Sequence, residues 1–437
     1  MLDEKKAIIF NLSKKNFYSL TPLIATIDND NELKPLKLFI ESNVNAQTIK
    51  NYLNKFDEIT VAFSFRTAQL EEMYLKMKEI FENLSPSELK RTIFISGGSH
   101  PTGDPLSALK LGFDFAFIGE AELSLSLFLK KWLNNETLEE TQGIAFLSEN
   151  ENLIRTSPPP LINLDDYPFV SMKRGLYPPL EITRGCAFSC TFCQVPSMFN
   201  KKVRHRSPDI ILRTVSFMGA RGLDDIRFIT PNSFSYGSRS AKRVNLEAIE
   251  YLIKGIYNTK GIKRVFYGTF PGEVRPETVN HEVFQRIKDY IANKKIAIGL
   301  QSGSNTVLKK VRRGHTVEEG IKAIEIIVEE GFVPVVDFIF GLPVATDSDE
   351  QESLEVMKML ADMNVRIRAH VFMPLPSTPL ENAPVGHVSP NIRKQLGQLN
   401  KMGIIEGNWS NQENYARKAW LTIQKIKNAP ILKKTHL

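Results

Sequence analysis

Alternation between short apolar runs and longer helical patterns is the feature that most constrains this chain. Between residues 5 and 135 the runs "KAIIF", "LKLFI", "ITVAFSF", "RTIFIS" and "FAFIG" are rich in Ile, Val and Phe, with helical patterns between them. Strands that alternate with helices in this way are typical of a parallel α/β sheet. We therefore predict a Rossmann-like, doubly wound domain over 1–150. Its ligand should lie at the carboxyl ends of the strands, near the topological switch point.

A proline-rich stretch interrupts the alternation. Residues 151–179 include six prolines between 158 and 179, and proline disfavours both helix interiors and sheet ladders, so we place a linker here. The alternation then resumes with six further strand candidates, "PLEIT", "DIRFIT", "RVFYGT", "IAIGLQ", "VVDFIF" and "RIRAHVF". Six βα units predict a (β/α)6 partial TIM barrel over 180–380, with chemistry at the carboxyl ends of its strands. Residues 381–437 are predicted to form a helical C-terminal extension.

Composition narrows the protein class. Of the 437 residues, 42% are hydrophobic and 24% charged, and no apolar run reaches the ~18 residues of a membrane span. The first residues are acidic with a short apolar run, which is not a secretory signal, so a cytoplasmic, reducing location is expected. We expect the formal net charge of +7 to be spread along the chain. It is compatible with an anionic cofactor or with nucleic acid and selects neither.

All three cysteines lie in "RGCAFSCTFCQ", at Cys186, Cys190 and Cys193. A redox dithiol could use Cys190 and Cys193 but needs no third cysteine. A zinc site needs a fourth ligand, and the nearest candidate, His205, is not at customary spacing. Three structural thiols in one loop would fill a core poorly. An iron–sulfur cluster suits three thiolates and leaves one iron open, and the position directly after a barrel strand favours that interpretation.

The C-x3-C-x2-C spacing, with Phe192 before the last cysteine, resembles the radical S-adenosylmethionine (SAM) superfamily. The segments 296–332, 337–343 and 372–379 also resemble later parts of that catalytic domain. The resemblance implies that the three thiolates hold a 4Fe-4S cluster whose remaining iron binds SAM. It also implies that cleavage of SAM yields a 5'-deoxyadenosyl radical. The predicted metal ligands are Cys186, Cys190 and Cys193.

The same resemblance implies a set of SAM-binding residues. Phe192 would lie by the adenine, and Asn232 stands where the family contacts the methionyl amino group, although the usual Gly-Gly-Glu is absent. Glu273 and Arg275 would meet the ribose or the carboxylate, the alternative for Arg275 being a surface charge. Gln301 and Ser302 end the fourth strand and could face the same ligand.

A Rossmann-like domain before such a barrel resembles the cobalamin-binding radical SAM enzymes, on the stretch "ISGGSHPTGDPLSALKLGFDFAFIGEAELSLSLFL" (95–129). Glycines there let the backbone approach a bulky cofactor. The Asp-x-His-x-x-Gly sequence that gives cobalt a histidine is absent, and we expect His100 to pack beside the nucleotide tail rather than bind cobalt. The predicted cobalamin contacts are Ser64, Arg66, Thr67, Gly97, Gly98, Ser99, His100, Gly119 and Glu120.

The resemblance implies a cobalamin-dependent radical SAM methyltransferase that acts on an unactivated carbon. The alternatives are a cobalamin-assisted rearrangement or cyclisation, and a radical SAM enzyme whose N-terminal domain no longer binds cobalamin. A tRNA methylthiotransferase ranks lower, because that family needs a second cluster and no cysteines remain for it. The expected electron donor is a ferredoxin or flavodoxin. The substrate is left open among small molecules, lipids and proteins, and a nucleic-acid partner is not expected.

Overall fold

A computed structural model describes residues 5–240 and 242–433. The chain forms two compact units. The first takes the described residues of 1–178, 375–378 and 417–437, and the second takes 179–374 and 379–416.

The first unit is built on a seven-stranded sheet with the order β2-β1-β3-β4-β5-β6-β7. Its first five strands are parallel, and β6 and β7 add to the β5 edge as antiparallel strands. All five predicted strands are present, and the switch point lies between β1 and β3. The strands are β1 Lys6–Asn11, β2 Lys37–Glu41, β3 Glu58–Ser64, β4 Thr92–Gly97, β5 Phe115–Phe117, β6 Ile144–Leu147 and β7 Leu153–Arg155.

Helices accompany this sheet and enclose two apolar clusters. Ile8, Phe10 and Ile95 belong to one cluster, and Ile9, Val61 and Phe94 to the other. Neighbouring residues of one strand point to opposite faces of a sheet, so both faces of the sheet are covered. The helices are α1 Phe17–Asn29, α2 Ala46–Leu53, α3 Leu70–Asn83, α4 Pro86–Lys90, α5 Ser99–Gly103, α6 Pro105–Lys110 and α7 Glu122–Leu133.

The first unit is not contiguous in sequence. Ile423 and Ile426, from the last helix, are buried in the same cluster as Met73 and Met77 of α3. The sequence predicted a single extension over 381–437, whereas the structure assigns its described residues to two different units. Part of the predicted linker is also structured, because β7 pairs with β6.

The second unit contains the predicted series of parallel strands. One sheet has the order β12-β11-β8 and another the order β13-β14-β15-β16, and a bridge between Val274 and Ile298 connects the loop after β12 to β13. Strands β9 and β10 form a separate antiparallel pair beside the first strand. The strands are β8 Leu180–Glu181, β9 Thr183–Arg184, β10 Arg204–His205, β11 Asp225–Ile229, β12 Arg264–Phe266, β13 Lys295–Gln301, β14 Val333–Phe340, β15 Arg366–Val371 and β16 Ile405–Glu406.

Helices follow the strands of this unit. The predicted capping box of α13 is present, since Thr316 Oγ1 accepts from Glu319 N at 3.2 Å and Glu319 Oε2 accepts from Thr316 N at 2.8 Å. None of the helices in the described part of the chain is long and apolar enough to cross a membrane. The helices are α8 Val195–Phe199, α9 Pro208–Gly219, α10 Leu246–Tyr257, α11 His281–Ile287, α12 Asn305–Lys310, α13 Val317–Glu329, α14 Asp347–Ala361 and α15 Pro390–Lys401. The last helix, α16 Gln412–Asn428, begins in this unit and belongs to the first unit from residue 417 on.

Candidate functional site

The cysteine loop begins where β9 ends, at the start of the barrel. Gly185 has φ +86°, and a Cβ there would lie 2.4 Å from the carbonyl oxygen of Lys202, so only glycine fits this turn. The loop is fixed at its middle as well, because Thr191 N donates to Val311 O at 3.0 Å. The loop therefore has a defined place against the segment that follows α12.

Two guanidinium groups face the central thiol. Arg275 Nη1 and Arg313 Nη1 each lie 3.7 Å from Cys190 Sγ, and both arginines are buried. Burial raises the pKa of Cys193 to about 11 and also raises the pKa of Cys186, and the neighbouring thiols raise both further. Backbone N–H groups and the two arginines act in the opposite direction. The metal-free thiols of Cys186 and Cys193 are thus held protonated, and an iron ion must displace those protons to bind.

The structure separates the alternatives for these thiols. His205 cannot serve as a zinc ligand here, since its Nδ1 lies 2.9 Å from Thr183 Oγ1 and its Nε2 lies 2.9 Å from Ser238 O. Among the described residues, no group of three or more His, Cys, Asp or Glu side chains is arranged to hold a single metal ion. A cubane does not require that arrangement, because each thiolate binds a different iron atom. The donor set, three cysteines in one buried loop beside two cations, fits an anionic iron–sulfur cluster.

Glu277 connects the loop that carries Arg275 to the segment that carries Arg313 and His315. It accepts from Arg275 Nη2 at 2.7 Å and lies 3.4 Å from His315 Nδ1, and these partners lower its pKa despite its burial. Arg275 also donates to the carbonyl oxygen of Arg313, and its guanidinium lies 3.5 Å from the ring centroid of Phe188 in the cysteine loop. Arg275 is therefore a buried part of this network and not a surface charge.

Asn232 lies next to Arg275. Its Oδ1 accepts from Arg275 N at 3.3 Å and from Thr278 Oγ1 at 3.2 Å, while its buried Nδ2 has no hydrogen-bond partner in the described part of the chain. A buried amide donor without an acceptor is costly unless a ligand satisfies it. This orphaned donor fits the predicted ligand contact.

Glu273 faces a different set of groups from Arg275. Arg368 donates to Glu273 at 2.6 Å and to both carboxylate oxygens of Asp337 at 2.6 and 2.8 Å, and His370 Nε2 lies 3.4 Å from Asp337. Burial, followed by the Asp337 charge, raises the pKa of Glu273. The ring of Phe270, with 61% of its surface exposed, lies 5.9 Å from the Arg368 guanidinium.

The other three predicted SAM residues lie at three different places. Gln301 has φ +82°. Its Nε2 and Arg313 Nη2 both lie close to the position that a Cβ at Gly299 would take, so the Gln301 amide lies beside the Arg313 guanidinium. Ser302 instead bonds Ser304 N at 3.1 Å and lies 3.3 Å from Ser353 Oγ. Phe192 packs with the apolar cluster of Val307, Val311, Leu342 and Phe372.

Sequence reasoning missed several of the residues in this network. Arg313 and His315 lie in the segment that resembles the radical SAM domain, but no motif letter singled them out from the neighbouring Lys309 and Arg312. Strand alternation could have pointed to Asp337, since it is the one charged residue of β14. Arg368 lies opposite Asp337 in the β14–β15 register, which depends on the pairing and not on the local sequence.

In the first unit, the predicted cobalamin contacts follow β3, β4 and β5. Gly98 has φ +96°, and a Cβ there would lie 2.8 Å from Phe65 O and from Ser64 Oγ, so β3 and β4 can approach each other only with glycine. His100 is fully buried, with Nδ1 3.1 Å from Thr67 Oγ1 and Nε2 2.8 Å from Ser107 Oγ. Both ring nitrogens are thus engaged by hydroxyl groups within the fold.

The remaining predicted contacts surround this turn. Ser64 Oγ lies 2.8 Å from Ser19 Oγ, and Gly119 N donates to Thr102 Oγ1 at 3.0 Å. Arg66 is exposed. Gly97 closes β4, Ser99 opens α5, and Glu120 follows β5. All of them lie at or just beyond the carboxyl ends of parallel strands, the edge at which doubly wound folds bind ligands.

Comparison with known proteins identifies part of the chain. Residues 180–357 match the family model of the radical SAM superfamily. The tRNA-2-methylthio-N(6)-dimethylallyladenosine synthase of Sulfurihydrogenibium is 27% identical over 60% of this chain and 55% of its own length. The enzyme of that name from Streptomyces coelicolor is 31% identical over 41% of this chain and 34% of its own length. The chain spans about half the length of the curated relatives it matches first.

Two solved structures share the fold over most of the chain. The radical SAM methyltransferase TsrM from Kitasatospora setae, with cobalamin and a 4Fe-4S cluster bound, covers 86% of this chain and 77% of its own, with a TM-score of 0.64 and 13% identity. The cobalamin-dependent SAM radical enzyme OxsB covers 97% of this chain and 62% of its own, with a TM-score of 0.66 and 17% identity. The radical SAM family uses a 4Fe-4S cluster and SAM, and the residues around Cys190 suit both. Residues 180–357 therefore form a radical SAM domain.

Proposed function

We propose that this chain is a cobalamin-dependent radical SAM enzyme that transfers a methyl group to an unactivated carbon. The observation that carries the proposal is the set of three cysteines beside Arg275 and Arg313 in the radical SAM domain. The doubly wound unit that precedes the domain supports the second cofactor, because TsrM and OxsB have cobalamin bound and share this fold.

The cofactors would supply the reactive groups. Cys186, Cys190 and Cys193 would hold a cluster that supplies the electron for cleavage of SAM, and the first unit would hold a cobalamin that supplies the methyl group. The protein's own residues position these partners. Arg275 and Arg313 place positive charge where an anionic cluster and the SAM carboxylate need it. Asn232 Nδ2 and the Gln301 amide offer polar contacts to SAM from the neighbouring strand ends.

In the first unit, the residues after β3, β4 and β5 would hold the corrin and its nucleotide tail. Gly98 lets these loops come close together, and Arg66 is exposed beside them. His100 would fix this turn and would not bind cobalt, because its two ring nitrogens are engaged by Thr67 and Ser107. A ferredoxin or flavodoxin would supply the electrons.

A tRNA methylthiotransferase is the second candidate, favoured by the names of the curated relatives. The cysteine count opposes it, since the resemblance implies a second cluster with three more thiolates and the 437 residues hold three cysteines in all. A cobalamin-assisted rearrangement or cyclisation would use the same residues without net methyl transfer. A radical SAM enzyme with an N-terminal unit that binds no cobalamin would use the barrel alone.

Anaerobic reconstitution tests the proposal. The full chain is treated with iron, sulfide and hydroxocobalamin, then desalted, and iron, sulfide and corrin are measured along with the visible and EPR spectra. We expect a 4Fe-4S signal and retained corrin in the native chain. Cys186→Ala should lose the cluster and keep the corrin, while Ser189→Ala, in the same loop, should keep both. A native chain without a cluster would refute the radical SAM assignment, and one without corrin would refute the cobalamin assignment.

The reaction type is decided by stoichiometry. For methyl transfer, 5'-deoxyadenosine and S-adenosylhomocysteine should form together, one SAM giving the radical and another recharging cobalamin. SAM consumption to 5'-deoxyadenosine with an unmethylated product would favour rearrangement. Sulfur in the product would favour methylthiolation.

A further inference from the structure

Positive charge is concentrated in three segments of the second unit. Residues 182–208, 226–246 and 296–317 contain five, four and four Lys or Arg residues, 13 in total, and no Asp or Glu. The whole chain has 56 Lys and Arg against 49 Asp and Glu, a net charge of +7. The rest of the chain therefore carries 7 − 13 = −6. We expected the net charge to be spread along the chain. Instead, the three segments are strongly positive and the rest of the chain is negative.

These three segments meet around the cysteine loop. His205 Nε2 lies 2.9 Å from Ser238 O, which joins the first segment to the second. Lys242 Nζ donates to Gly314 O at 3.2 Å, which joins the second to the third. Thr191 N donates to Val311 O, which joins the third to the first. The three segments thus surround the thiols at the carboxyl ends of the strands, where a barrel enzyme receives its substrate.

Nine of the 13 cations are exposed and form no ion pair with any described Asp or Glu. Three of the nine lie within β11 or α12, and the other six lie in loops. We call these six the basic rim. Some exposed cations elsewhere in this unit have carboxylate partners, for example Lys263 with Asp224 and Arg264 with Asp225. The basic rim consists of Lys201, Lys202, Arg239, Lys242, Arg243 and Arg312.

We propose that the basic rim binds the phosphates of a single-stranded polynucleotide that presents its base to the reaction centre. The inference rests on the proposed function only for the chemistry at that centre; the binding itself rests on the rim. The proposed substrate class is therefore nucleic acid, which the composition alone did not favour.

The spread of the rim favours a polymer over a single phosphate. Its cations come from three separate loops, so one phosphate could meet only a few of them, whereas successive phosphates of one strand could meet all three loops. A single strand is favoured because a base inside a duplex is out of reach of a recessed centre. The loop that carries Arg275 also exposes the ring of Phe270, and aromatic faces are used to stack unpaired bases.

Fluorescence anisotropy tests the inference with labelled oligouridylate and the full-length protein over a range of salt concentrations. The rim variant is Lys242→Gln/Arg243→Gln. The control is Lys260→Gln/Lys294→Gln, which removes the same charge from two exposed lysines at the amino ends of β12 and β13. We expect the native protein and the control to share one salt dependence. In the rim variant, the slope of log K against log salt should be smaller by about 1.4, or ~0.7 per lost phosphate contact.

Two results would overturn the inference: equal slopes for the rim variant and the control, or competition by pyrophosphate or polyglutamate as effective as that by unlabelled oligouridylate. The first would show that the rim does not bind the strand, and the second that it accepts any small phosphate or acidic chain. Repeating the titration with Cys186→Ala, which should bind oligouridylate like the native protein, keeps failure of the inference apart from failure of the proposed function. Cluster and corrin retention report on the proposed function alone.

Discussion

Removal of the Arg275 charge should lower the reduction potential of the cluster. The guanidinium lies 3.7 Å from Cys190 Sγ and is buried, so a positive charge stands at hydrogen-bonding distance from one predicted ligand. Reduction adds one negative charge, which that cation stabilises. Arg275→Gln removes the cation and keeps an amide donor of similar length, whereas Arg275→Lys keeps the charge.

The distance sets the size of the effect. Two unit charges 3.7 Å apart interact by about 1.1 kcal/mol at a dielectric constant of 80 and by about 4.5 kcal/mol at 20. At ~59 mV for each ~1.4 kcal/mol in a one-electron couple, these values correspond to about 50 and about 190 mV. The added electron is shared over the cluster and lies farther away than Sγ. We therefore expect Arg275→Gln to lower the potential by about 50–100 mV.

The assay is a redox titration of the reconstituted protein followed by EPR, with iron content measured on the same samples. Arg312→Gln is the matched control, since it removes an exposed cation from the same segment as Arg313. Arg275→Lys should stay close to the native potential. If Arg275→Gln retains its iron but shifts the potential no more than Arg312→Gln does, the electrostatic reasoning is refuted. Loss of iron in both Arg275 variants would show that the paired hydrogen bonds from Arg275 to Glu277 are needed to position the cysteine loop, rather than the charge alone.

Three further predictions concern the first unit. Burial lowers the pKa of His100 to about 4, below the ~6.5 of an unfolded chain. Because the unfolded chain binds this proton more readily, the contribution of neutral His100 to the free energy of unfolding is complete above pH 6.5 and is lost as pH falls towards 4. Hydrogen exchange of the β3 and β4 amides should show roughly 3 kcal/mol less protection at the acid end, and His100→Gln should remove that dependence. Deletion of 417–437 exposes the cavity left by Ile423 and Ile426 and should cost about 3–6 kcal/mol in the same amides, while barrel amides serve as the internal control. Bound cob(II)alamin should give the same EPR spectrum in unlabelled and nitrogen-15-labelled protein, and a change in its superhyperfine pattern would show a protein nitrogen on cobalt.

The α/β architecture could be predicted because its signals are local. Each buried parallel strand is a short apolar run such as "KAIIF" or "ITVAFSF", and the capping box at Thr316 marks the start of α13 within four residues. The cysteine loop was equally visible, since all its ligands lie within eight positions. These features depend on neighbours in the sequence and not on the packing.

The rest of the site depends on long-range contacts. Arg275 and Arg313 are 38 residues apart and meet only because the loops after β12 and α12 converge on Cys190. The pairing of Glu273 with Arg368 spans 95 residues and follows from the β14–β15 register, which places Arg368 opposite Asp337. The concentration of positive charge could have been found by counting charges along the sequence, but the total of +7 concealed it because the rest of the chain is acidic and offsets part of the 13 cations.

The position of Ile423 and Ile426 in the core of the first unit has a consequence for biosynthesis. The ribosome makes β1 to β7 first and α16 only after the whole barrel, so the earliest sheet emerges with part of its apolar surface uncovered. That apolar surface stays uncovered while more than two hundred further residues are synthesised, until α16 packs against it. Domains usually fold as they leave the ribosome. Here the unit synthesised before the barrel is completed only after it, and a translation product that stops at the barrel would leave that unit open to chaperones and proteases.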